Sequence, residues 1–425
     1  MKKTIKLAVV AALALGATSA FATNGSVLLG MGAKTRGMGG TGIGVSHGAE
    51  SALSNPALIT TVEGTEISFG GTLFMPNVDN TNNLGFGNSA GESKADIFVI
   101  PSVSLANKVN DNFYWGMGMW GTGGLGVDYR DTASVLAGGT QMQMTTSLQL
   151  MQFGVPLVYT TNNFSIGFTP ILQYGALDIG YEYPGNPNPG TPSAGTYFGA
   201  GVQDDLAFGY NIGLAYTTSN ITIGAVYISE IEMDYSGVMS KTISPFVNPT
   251  TNPNGYTNDK LSSPEQYGVG ISYSMQGHTL AFDYKIINWE DAEGYKDFEW
   301  ENQDVIAIGY EYATDKWAVR LGYQYADSAV KEQATNFTAQ GDISAPNSAG
   351  LNGSTVNTFN ALGFPGNVET HITVGASYAV NEKMSVDLAY VRALEADDTF
   401  TNFAGQDMTV THSEDSISFQ MNYNF

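Results

Sequence analysis

Two glycine-rich stretches and one serine motif are the parts of this sequence whose spacing could support chemistry. Residues 37–42 and 121–126 both match G-x-G-x-x-G, in which backbone N–H groups can hold a phosphate. Residues 44–48 match G-x-S-x-G, the spacing of a nucleophilic serine at a strand-to-helix turn. Each motif needs an α/β sheet around it, and the surrounding sequence predicts none, so we assign no catalytic residue and keep a hydrolase only as an alternative. The four histidines lack ligand spacing, so neither a metal nor another cofactor is predicted.

The composition restricts the class of protein that could position these motifs. The chain has 425 residues, of which 12% are aromatic, 51 are glycine and only 13% are charged, about half the typical charged fraction. The absence of cysteine excludes disulfides and thiolate-ligated metals. Seventeen basic and 40 acidic residues give a net charge of -23, which excludes electrostatic capture of nucleic acid because that requires a basic face.

The amino terminus has the three zones of a secretory signal peptide. Lysines at positions 2, 3 and 6 precede an apolar run over residues 7–17, and small residues follow as far as Ala22. Cleavage is predicted after Ala22, with Ala20 as the alternative. No later apolar run is long enough for a membrane-spanning helix, so a membrane form of this protein would have to be a β-barrel.

From about residue 65 onward, apolar and small polar residues alternate with a period of two, as in β-strands. In the last segment, Ile417, Phe419 and Tyr423 alternate with serine, glutamine and asparagine. Fourteen such segments are predicted, at residues 65–74, 95–106, 112–121, 143–160, 163–182, 205–217, 220–236, 264–275, 278–289, 303–313, 316–326, 369–380, 383–394 and 414–425.

The connections between the segments alternate strictly between long loops and tight turns, which is typical of an outer-membrane barrel with one external and one periplasmic rim. The fold class predicted is therefore all-β, a transmembrane antiparallel barrel of 14 strands. Five aromatic residues near strand ends would form the interfacial girdles: Tyr114, Trp115, Trp120, Trp289 and Trp317. The alternative, a soluble sandwich, would alternate its apolar face with Lys and Glu rather than with Gly, Ser and Asn.

Residues 23–60 do not alternate. Fourteen strands enclose a lumen too wide for wall side chains to fill, and this glycine-rich segment is compact enough to occupy it. The predicted organisation is a signal peptide over 1–22, an N-terminal hatch, or plug, over 23–60 inside the lumen, and a barrel over 61–425.

Several motifs carry a resemblance to a known family. The stretch Arg36-Gly37-Met38-Gly39-Gly40, the element Asn55-Pro56-Ala57, the fourteen strands and the terminal Phe425 resemble the FadL-type long-chain fatty-acid and hydrophobic-compound transport family of outer-membrane proteins. The resemblance implies a monomer in the outer membrane of a Gram-negative bacterium, among lipid and lipopolysaccharide. It also implies passive uptake of hydrophobic small molecules, with Arg36, Asn55 and Pro56 as hatch residues.

The second glycine run lies at the end of the third predicted strand, where glycine often marks a bulge or bend. In the resembling family, a kink in this strand opens a gap through which ligand leaves sideways. We therefore assign that kink to Gly121, Gly123, Gly124 and Gly126. The alternative is a flexible outer loop.

Ligand contacts are predicted from the hatch and from two inward-facing basic residues. Leu28, Leu29 and Met31 are placed near the ligand, and Lys285 and Arg320 are candidate partners of a carboxylate. Alternatively, these two cations pair with Asp283 and Asp387, which also point inward. Fatty-acid members of the family carry basic residues on the fifth strand and this sequence does not, so aromatic hydrocarbons are kept as an alternative ligand. A general diffusion porin remains a further alternative function.

In the family, two outer loops form a capture groove. The matching loops here are residues 183–204, with Tyr183, Tyr197 and Phe198, and residues 237–263, with Met239, Phe246 and Tyr256. Alternatively, these side chains simply pack the loops together.

Overall fold

The computed structural model describes residues 24–85, 87–185, 192–247 and 253–425. The predicted signal peptide and both of its candidate cleavage positions lie outside these ranges. The described chain forms one closed antiparallel sheet in which the first barrel strand pairs with the last, so the predicted 14-stranded barrel is confirmed.

The barrel strands correspond to the fourteen predicted segments, and three of them are interrupted. They are β1 Thr65–Asn82, β2 Ser89–Glu92 with Phe98–Lys108, β3 Phe113–Asp128, β4 Thr145–Gly154 with Leu157–Thr161, β5 Phe164–Glu182, β6 Tyr197–Gly199 with Gln203–Thr217, β7 Ile221–Ile228, β8 Glu265–Met275, β9 His278–Asn288, β10 Gln303–Ala313, β11 Trp317–Ala326, β12 Thr370–Ala379, β13 Met384–Thr401 and β14 Asp407–Asn424.

The short connections are tight turns at one rim, as predicted. Between β8 and β9, Gln276 and Gly277 have φ values of 54° and 83°, the two positive values that a type I′ hairpin turn requires. The other rim carries the long loops. Strands β1, β13 and β14 extend beyond their predicted ends on this side, because residues there are polar on both faces and leave no alternating signal.

The apolar side of each strand faces outward. In β14, Ile417 and Phe419 are 47% and 48% exposed, whereas the intervening Ser416 and Ser418 are each 2% exposed. A soluble protein has the opposite arrangement, since its apolar side chains are buried. The exposed apolar belt is therefore the surface that contacts lipid.

Three of the predicted girdle aromatics are wrong. Of the five, Tyr114, Trp120 and Trp289 are buried, Trp115 is half-buried and Trp317 is exposed. Trp120 lies on the inner face of β3, where its Nε1 donates to Ser104 Oγ at 2.8 Å. Trp289 follows the end of β9 and packs against Trp300. Proximity to a strand end does not fix which face a side chain takes, and this caused the error.

The helices are short, and none of those described forms part of the barrel wall. The described helices are α1 Ala33–Gly37, α2 Ser51–Ser54, α3 Val238–Ile243 and α4 Gly353–Gly363, with 3-10 turns at Gly48–Glu50, Pro56–Thr61, Val135–Ala137, Ser244–Phe246 and Tyr295–Phe298. A small hairpin pairs Phe337–Thr338 with Gly341–Asp342. Within the described ranges, no helix combines the length and the apolar character needed to cross a membrane.

The outer loops pack together through an aromatic cluster. Phe246 lies at its centre, with ring centroids 5.3 to 5.7 Å from those of Tyr181, Tyr183, Phe359 and Phe403. Of the predicted capture residues, Tyr183, Met239 and Tyr256 are buried, whereas Tyr197 is exposed. Most of these side chains therefore agree with the alternative prediction, in which they pack the outer loops together.

The outward position of the apolar belt can be tested by placing a charge in it. We expect Phe419→Lys, near the middle of the belt, to lower the free energy of unfolding by about 2–4 kcal/mol, because the charge would face hydrocarbon. Tyr423→Lys, near the periplasmic rim, should lower it by about 0–1 kcal/mol. Denaturant titration of each variant in lipid vesicles measures both values. Equal losses at the two positions would contradict the orientation.

Candidate functional site

Residues 24–62, here called the luminal segment, cross the inside of the barrel. Their hydrogen bonds reach inward-facing side chains of strands on different sides of the wall. Gly39 N donates to Thr373 Oγ1 of β12 at 2.9 Å, and Arg36 Nη2 donates to Ser416 Oγ of β14 at 2.7 Å. On the other side, Asn211 of β6 donates to the Leu53 carbonyl at 2.5 Å. A segment with such contacts must span the lumen of a closed barrel.

Asp283 of β9 holds one turn of the luminal segment. Its carboxylate accepts from the N–H groups of Gly42, Ile43 and Gly44, at 2.7, 2.8 and 3.3 Å. A side chain at Gly44 would collide with the backbone of Gly270, so glycine is required for this approach. Sequence reasoning identified Asp283 as inward-facing but missed this role, because the sequence does not show which backbone groups will lie opposite.

The predicted hatch residues Asn55 and Pro56 lie where the luminal segment meets β6. Asn55 Nδ2 donates to the carbonyls of Ile43 and Leu214, at 2.8 and 3.1 Å, while its Oδ1 accepts from Ala57 N. Pro56 begins the following 3-10 turn, where its missing N–H leaves no donor unsatisfied. The pair therefore ends α2 and attaches the segment to the wall.

The G-x-S-x-G stretch does not contain a nucleophile–base pair. Ser46 Oγ donates to the Leu58 carbonyl at 2.8 Å, and His47 Nε2 lies 2.8 Å from the Thr41 carbonyl. Burial lowers the pKa of His47 to about 3, which keeps its ring neutral. These contacts assign both residues to the internal structure of the luminal segment.

A cavity of about 120 Å³, here called the luminal cavity, lies between the luminal segment and the wall. Four of the five predicted ligand residues line it: Leu28, Leu29, Met31 and Lys285. Other apolar lining comes from Leu53, Leu150, Val226, Ile228 and Val305, and polar lining from Gln152, Gln266, Asp283 and Gln324. The lining is thus mainly apolar, with few polar groups, as in sites that bind hydrophobic ligands.

The fifth predicted residue, Arg320, does not line the cavity. Its Nη2 lies 2.7 Å from Glu311 Oε2, and its Nη1 donates to Ser377 Oγ at 2.6 Å. Glu311 and Arg320 lie directly opposite each other in the β10–β11 hairpin. Because the tight turn at Thr314 fixes this register, the ion pair could have been predicted from the sequence.

Lys285 has different neighbours. Its partners across the two adjacent strands are Gly268 and Val305, which carry no charge. Its ammonium group makes neither an ion pair within 4 Å nor a side-chain hydrogen bond to any part of the chain that the structure describes, and it contributes to the cavity wall. A basic group in this setting can bind an anion that enters the cavity.

The barrel wall has a window next to β3. Pairing of β3 with β2 ends at Trp120 opposite Ser102, although β3 continues to Asp128 and remains paired with β4. The register between β3 and β4 shifts between Gly121 and Gly123, so Thr122 is an extra, bulged residue. The four predicted kink glycines lie at this bulge and just beyond it.

The luminal segment covers the window from inside. Gly124 N donates to the Ser26 carbonyl at 3.1 Å, and Leu28 N approaches the Thr122 carbonyl at 3.5 Å. A side chain at Gly123 would collide with the Ser26 carbonyl. Residues 26–28 thus occupy part of the space that a neighbouring strand would otherwise fill.

A second cavity, here called the wall cavity, lies at the window and measures only about 10 Å³. It is lined by Arg36, Gly71, Thr72, Ile100, Gly121 and Gln420, among others. Leu28, Gly30 and Met31 line both cavities. Residues 28–31 therefore form the partition between the luminal cavity and the window.

Comparison with known proteins agrees with this architecture. Residues 8–342 match the family described as outer membrane protein transport protein (OMPP1/FadL/TodX). The long-chain fatty acid transport protein of Escherichia coli O6:H1 is 25% identical over 404 residues, covering 81% of this chain and 85% of that protein. A 47 kDa outer membrane protein of Pasteurella multocida is 24% identical over 423 residues, covering 91% and 92%.

Solved structures show the same fold. A Pseudomonas aeruginosa FadL homologue gives a TM-score of 0.66 at 15% identity, covering 94% of this chain and all of that one. The Pseudomonas putida toluene transporter TodX gives 0.65 at 17% identity, covering 93% and 99%.

The role of Asp283 in holding the luminal segment can be tested by hydrogen exchange. Charge-assisted hydrogen bonds contribute about 1.5–3 kcal/mol each, so losing this carboxylate should cost about 3 kcal/mol locally. We expect Asp283→Ala to speed amide exchange at residues 42–44 by about 100-fold. Asp304→Ala, which removes an exposed carboxylate from β10, is the matched control and should leave these amides protected. Unchanged exchange in Asp283→Ala would show that other contacts hold the turn.

Proposed function

The chain belongs to the outer membrane protein transport family (OMPP1/FadL/TodX), and on this premise we propose how it moves its ligand. Hydrophobic compounds diffuse passively into the luminal cavity and leave sideways through the β3 window into the bilayer. Residues 23–60 act as the hatch, and no chemical step occurs. One barrel suffices, because both cavities lie within a single chain, so we propose a monomer.

The main support for this route is the arrangement of the two cavities. Leu28, Gly30 and Met31 line both the luminal cavity and the wall cavity. Movement of this short stretch would join the two into one passage. Each methylene group removed from water contributes about 0.8 kcal/mol, so an apolar ligand is drawn into the cavity and loses little on passing directly to lipid.

Sideways release also requires less disruption than axial release. Movement of residues 26–31 would break a few backbone contacts with β3, each contributing about 0.5–1.5 kcal/mol. Axial release would have to detach the luminal segment from Asp283, Thr373, Ser416 and Asn211, on several strands at once. The same contacts argue against an open diffusion porin.

Two ligand classes have specific support. The Lys285 ammonium, which has no ion-pair partner within 4 Å in the described chain, favours a compound with a carboxylate, such as a fatty acid. The cavity volume of about 120 Å³ is close to that of an apolar cavity that holds one benzene molecule, about 150 Å³, and favours small aromatic hydrocarbons as the second candidate. We propose fatty acids as the first class, because a neutral ligand gives Lys285 no role.

Sideways release can be tested by filling the window. A side chain at Gly121 would meet Ile100 across the gap, so Gly121→Leu should obstruct it. Overpacking costs about 1–3 kcal/mol, so we expect uptake of radiolabelled laurate or toluene by cells to fall about tenfold. Ala90→Leu adds the same bulk to an exposed position of β2 and is the control. Equal uptake by wild type, Gly121→Leu and Gly123→Leu would eliminate the lateral route.

The choice between ligand classes can be tested at Lys285. Loss of one charge-assisted hydrogen bond, about 1.5–3 kcal/mol, should weaken laurate binding to Lys285→Gln by at least about tenfold. Toluene binding should not change. Arg320→Gln is the comparison, because its guanidinium already pairs with Glu311 and should not affect laurate. Titration of purified, detergent-solubilised protein measures these affinities, and unaltered laurate affinity in Lys285→Gln would favour neutral ligands.

A further inference from the structure

The basic side chains that face the lumen fall into two groups. Lys34 Nζ lies 3.9 Å from Asp387 Oδ2, and Arg320 pairs with Glu311. In contrast, Lys285 and Arg36 have no carboxylate oxygen within 4 Å among residues 24–85, 87–185, 192–247 and 253–425. These two unpaired cations are the ones that line cavities, Lys285 in the luminal cavity and Arg36 in the wall cavity.

Arg36 is buried with part of its hydrogen-bonding capacity unused. Its side chain is 1% exposed, Nη2 donates to Ser416 Oγ at 2.7 Å, and Nη1 reaches the Gly30 carbonyl only at 3.5 Å. Its Nε has no acceptor in the described chain. A guanidinium offers five N–H donors, and leaving a buried donor unsatisfied is unfavourable. An acceptor arriving in the wall cavity would relieve this deficit.

The two cations lie on opposite sides of one partition. Residues 28–31 face Lys285 on the luminal side and Arg36 on the window side, since they line both cavities. Arg36 lies in α1, directly after the partition in the chain, so its backbone is connected to the stretch that must move.

We propose that Arg36 is a second anion site, which receives the carboxylate of an amphiphilic ligand from Lys285 when residues 28–31 move aside. This inference rests on the proposed function and narrows its ligand class to amphiphiles with a carboxylate. The guanidinium can bind such a headgroup with two parallel N–H donors, which an ammonium cannot do.

Electrostatics supply the reason for two sites. A carboxylate that leaves Lys285 for an apolar partition without a counter-charge faces a desolvation penalty of several kcal/mol. A cation on the far side lowers that barrier. Beyond Arg36, Thr72 and Gln420 also line the wall cavity and offer polar groups to the headgroup near the window. A neutral hydrocarbon has no such barrier and no need of Arg36.

The competing explanation is structural: Arg36 serves only to tie α1 to Ser416. A structural role would affect every ligand equally, whereas an anion site affects carboxylates alone. Laurate and dodecanol have the same chain length and differ in headgroup charge, so the ratio of their uptake rates separates the two explanations.

The test uses the full chain in the outer membrane of cells that lack it otherwise. We expect Arg36→Gln to lower laurate uptake about tenfold, the effect of losing a charge-assisted hydrogen bond, and to leave dodecanol uptake unchanged. Arg36→Lys should restore part of the laurate uptake, because an ammonium supplies the charge but not the two parallel donors. Equilibrium binding of laurate, which reports on Lys285, should stay as in wild type. Lys316→Gln, at an exposed turn, controls for charge removal.

Each outcome has a defined meaning. Equal losses of laurate and dodecanol uptake in Arg36→Gln, or no loss of either, would overturn the anion site. If wild-type protein increases uptake of neither compound over cells without it, the proposed function fails instead.

A second variant avoids dependence on the folding of Arg36→Gln. Glu414 of β14 is close enough to act on Arg36 electrostatically when it is ionised, although it lies outside the 4 Å limit of an ion pair. Its carboxylate oxygens have no hydrogen-bond donor in the described structure. Glu414→Gln removes an ionisable carboxyl group that repels the ligand headgroup whenever it is charged, so laurate uptake should rise relative to dodecanol. A fall in that ratio would also overturn the proposal.

Discussion

A barrel wall surrounded by hydrocarbon must pair every backbone N–H and C=O group, because no water is present to replace a missing partner. Strand pairing supplies these partners along much of the wall, but the pairing of β3 with β2 ends at Trp120. There the luminal segment supplies partners instead, through Ser26 to Gly124 and through Leu28 to Thr122. The segment that covers the window is therefore also the segment that satisfies its backbone. On the proposed route, opening the window and moving the partition are consequently a single event.

The same constraint decides how the polar side chains are used. With apolar side chains turned toward lipid, polar ones accumulate inside, where each needs a partner. Several find one on the luminal segment, as Asp283 does with three consecutive N–H groups. Cross-strand register decides the rest: Arg320 has Glu311 opposite, and Lys285 has only Gly268 and Val305. A charge left without a partner inside such a wall is thus informative about what the lumen is built to receive.

The sequence predicts the wall better than the interior. The period of two identified all fourteen strands, since apolar and polar faces meet such different surroundings. The period did not identify the outer ends of β1 and β14, where both faces of the strand are polar. The girdle prediction was wrong for Trp120 and Trp289 because it used their position near a strand end and not the face of the strand on which they lie. Leu28, Met31 and Lys285 were brought together as predicted, whereas the distinction between Lys285 and Arg320 required the register. The covering of the β3 window by Ser26 and Leu28 could not be predicted, because a backbone contact between two distant segments leaves no pattern in the amino-acid sequence of either segment.

On the proposed route, the energies involved require no external driving force. The contacts of residues 26–28 with β3 contribute about 0.5–1.5 kcal/mol each, so displacing the partition costs a few kcal/mol. Burial of about four methylene groups in the cavity yields a similar amount, at about 0.8 kcal/mol each. A ligand with a longer alkyl chain or an aromatic ring can therefore offset the displacement through its own transfer from water. Water and small ions cannot, since they gain nothing from an apolar cavity, and for them the wall cavity of about 10 Å³ remains closed.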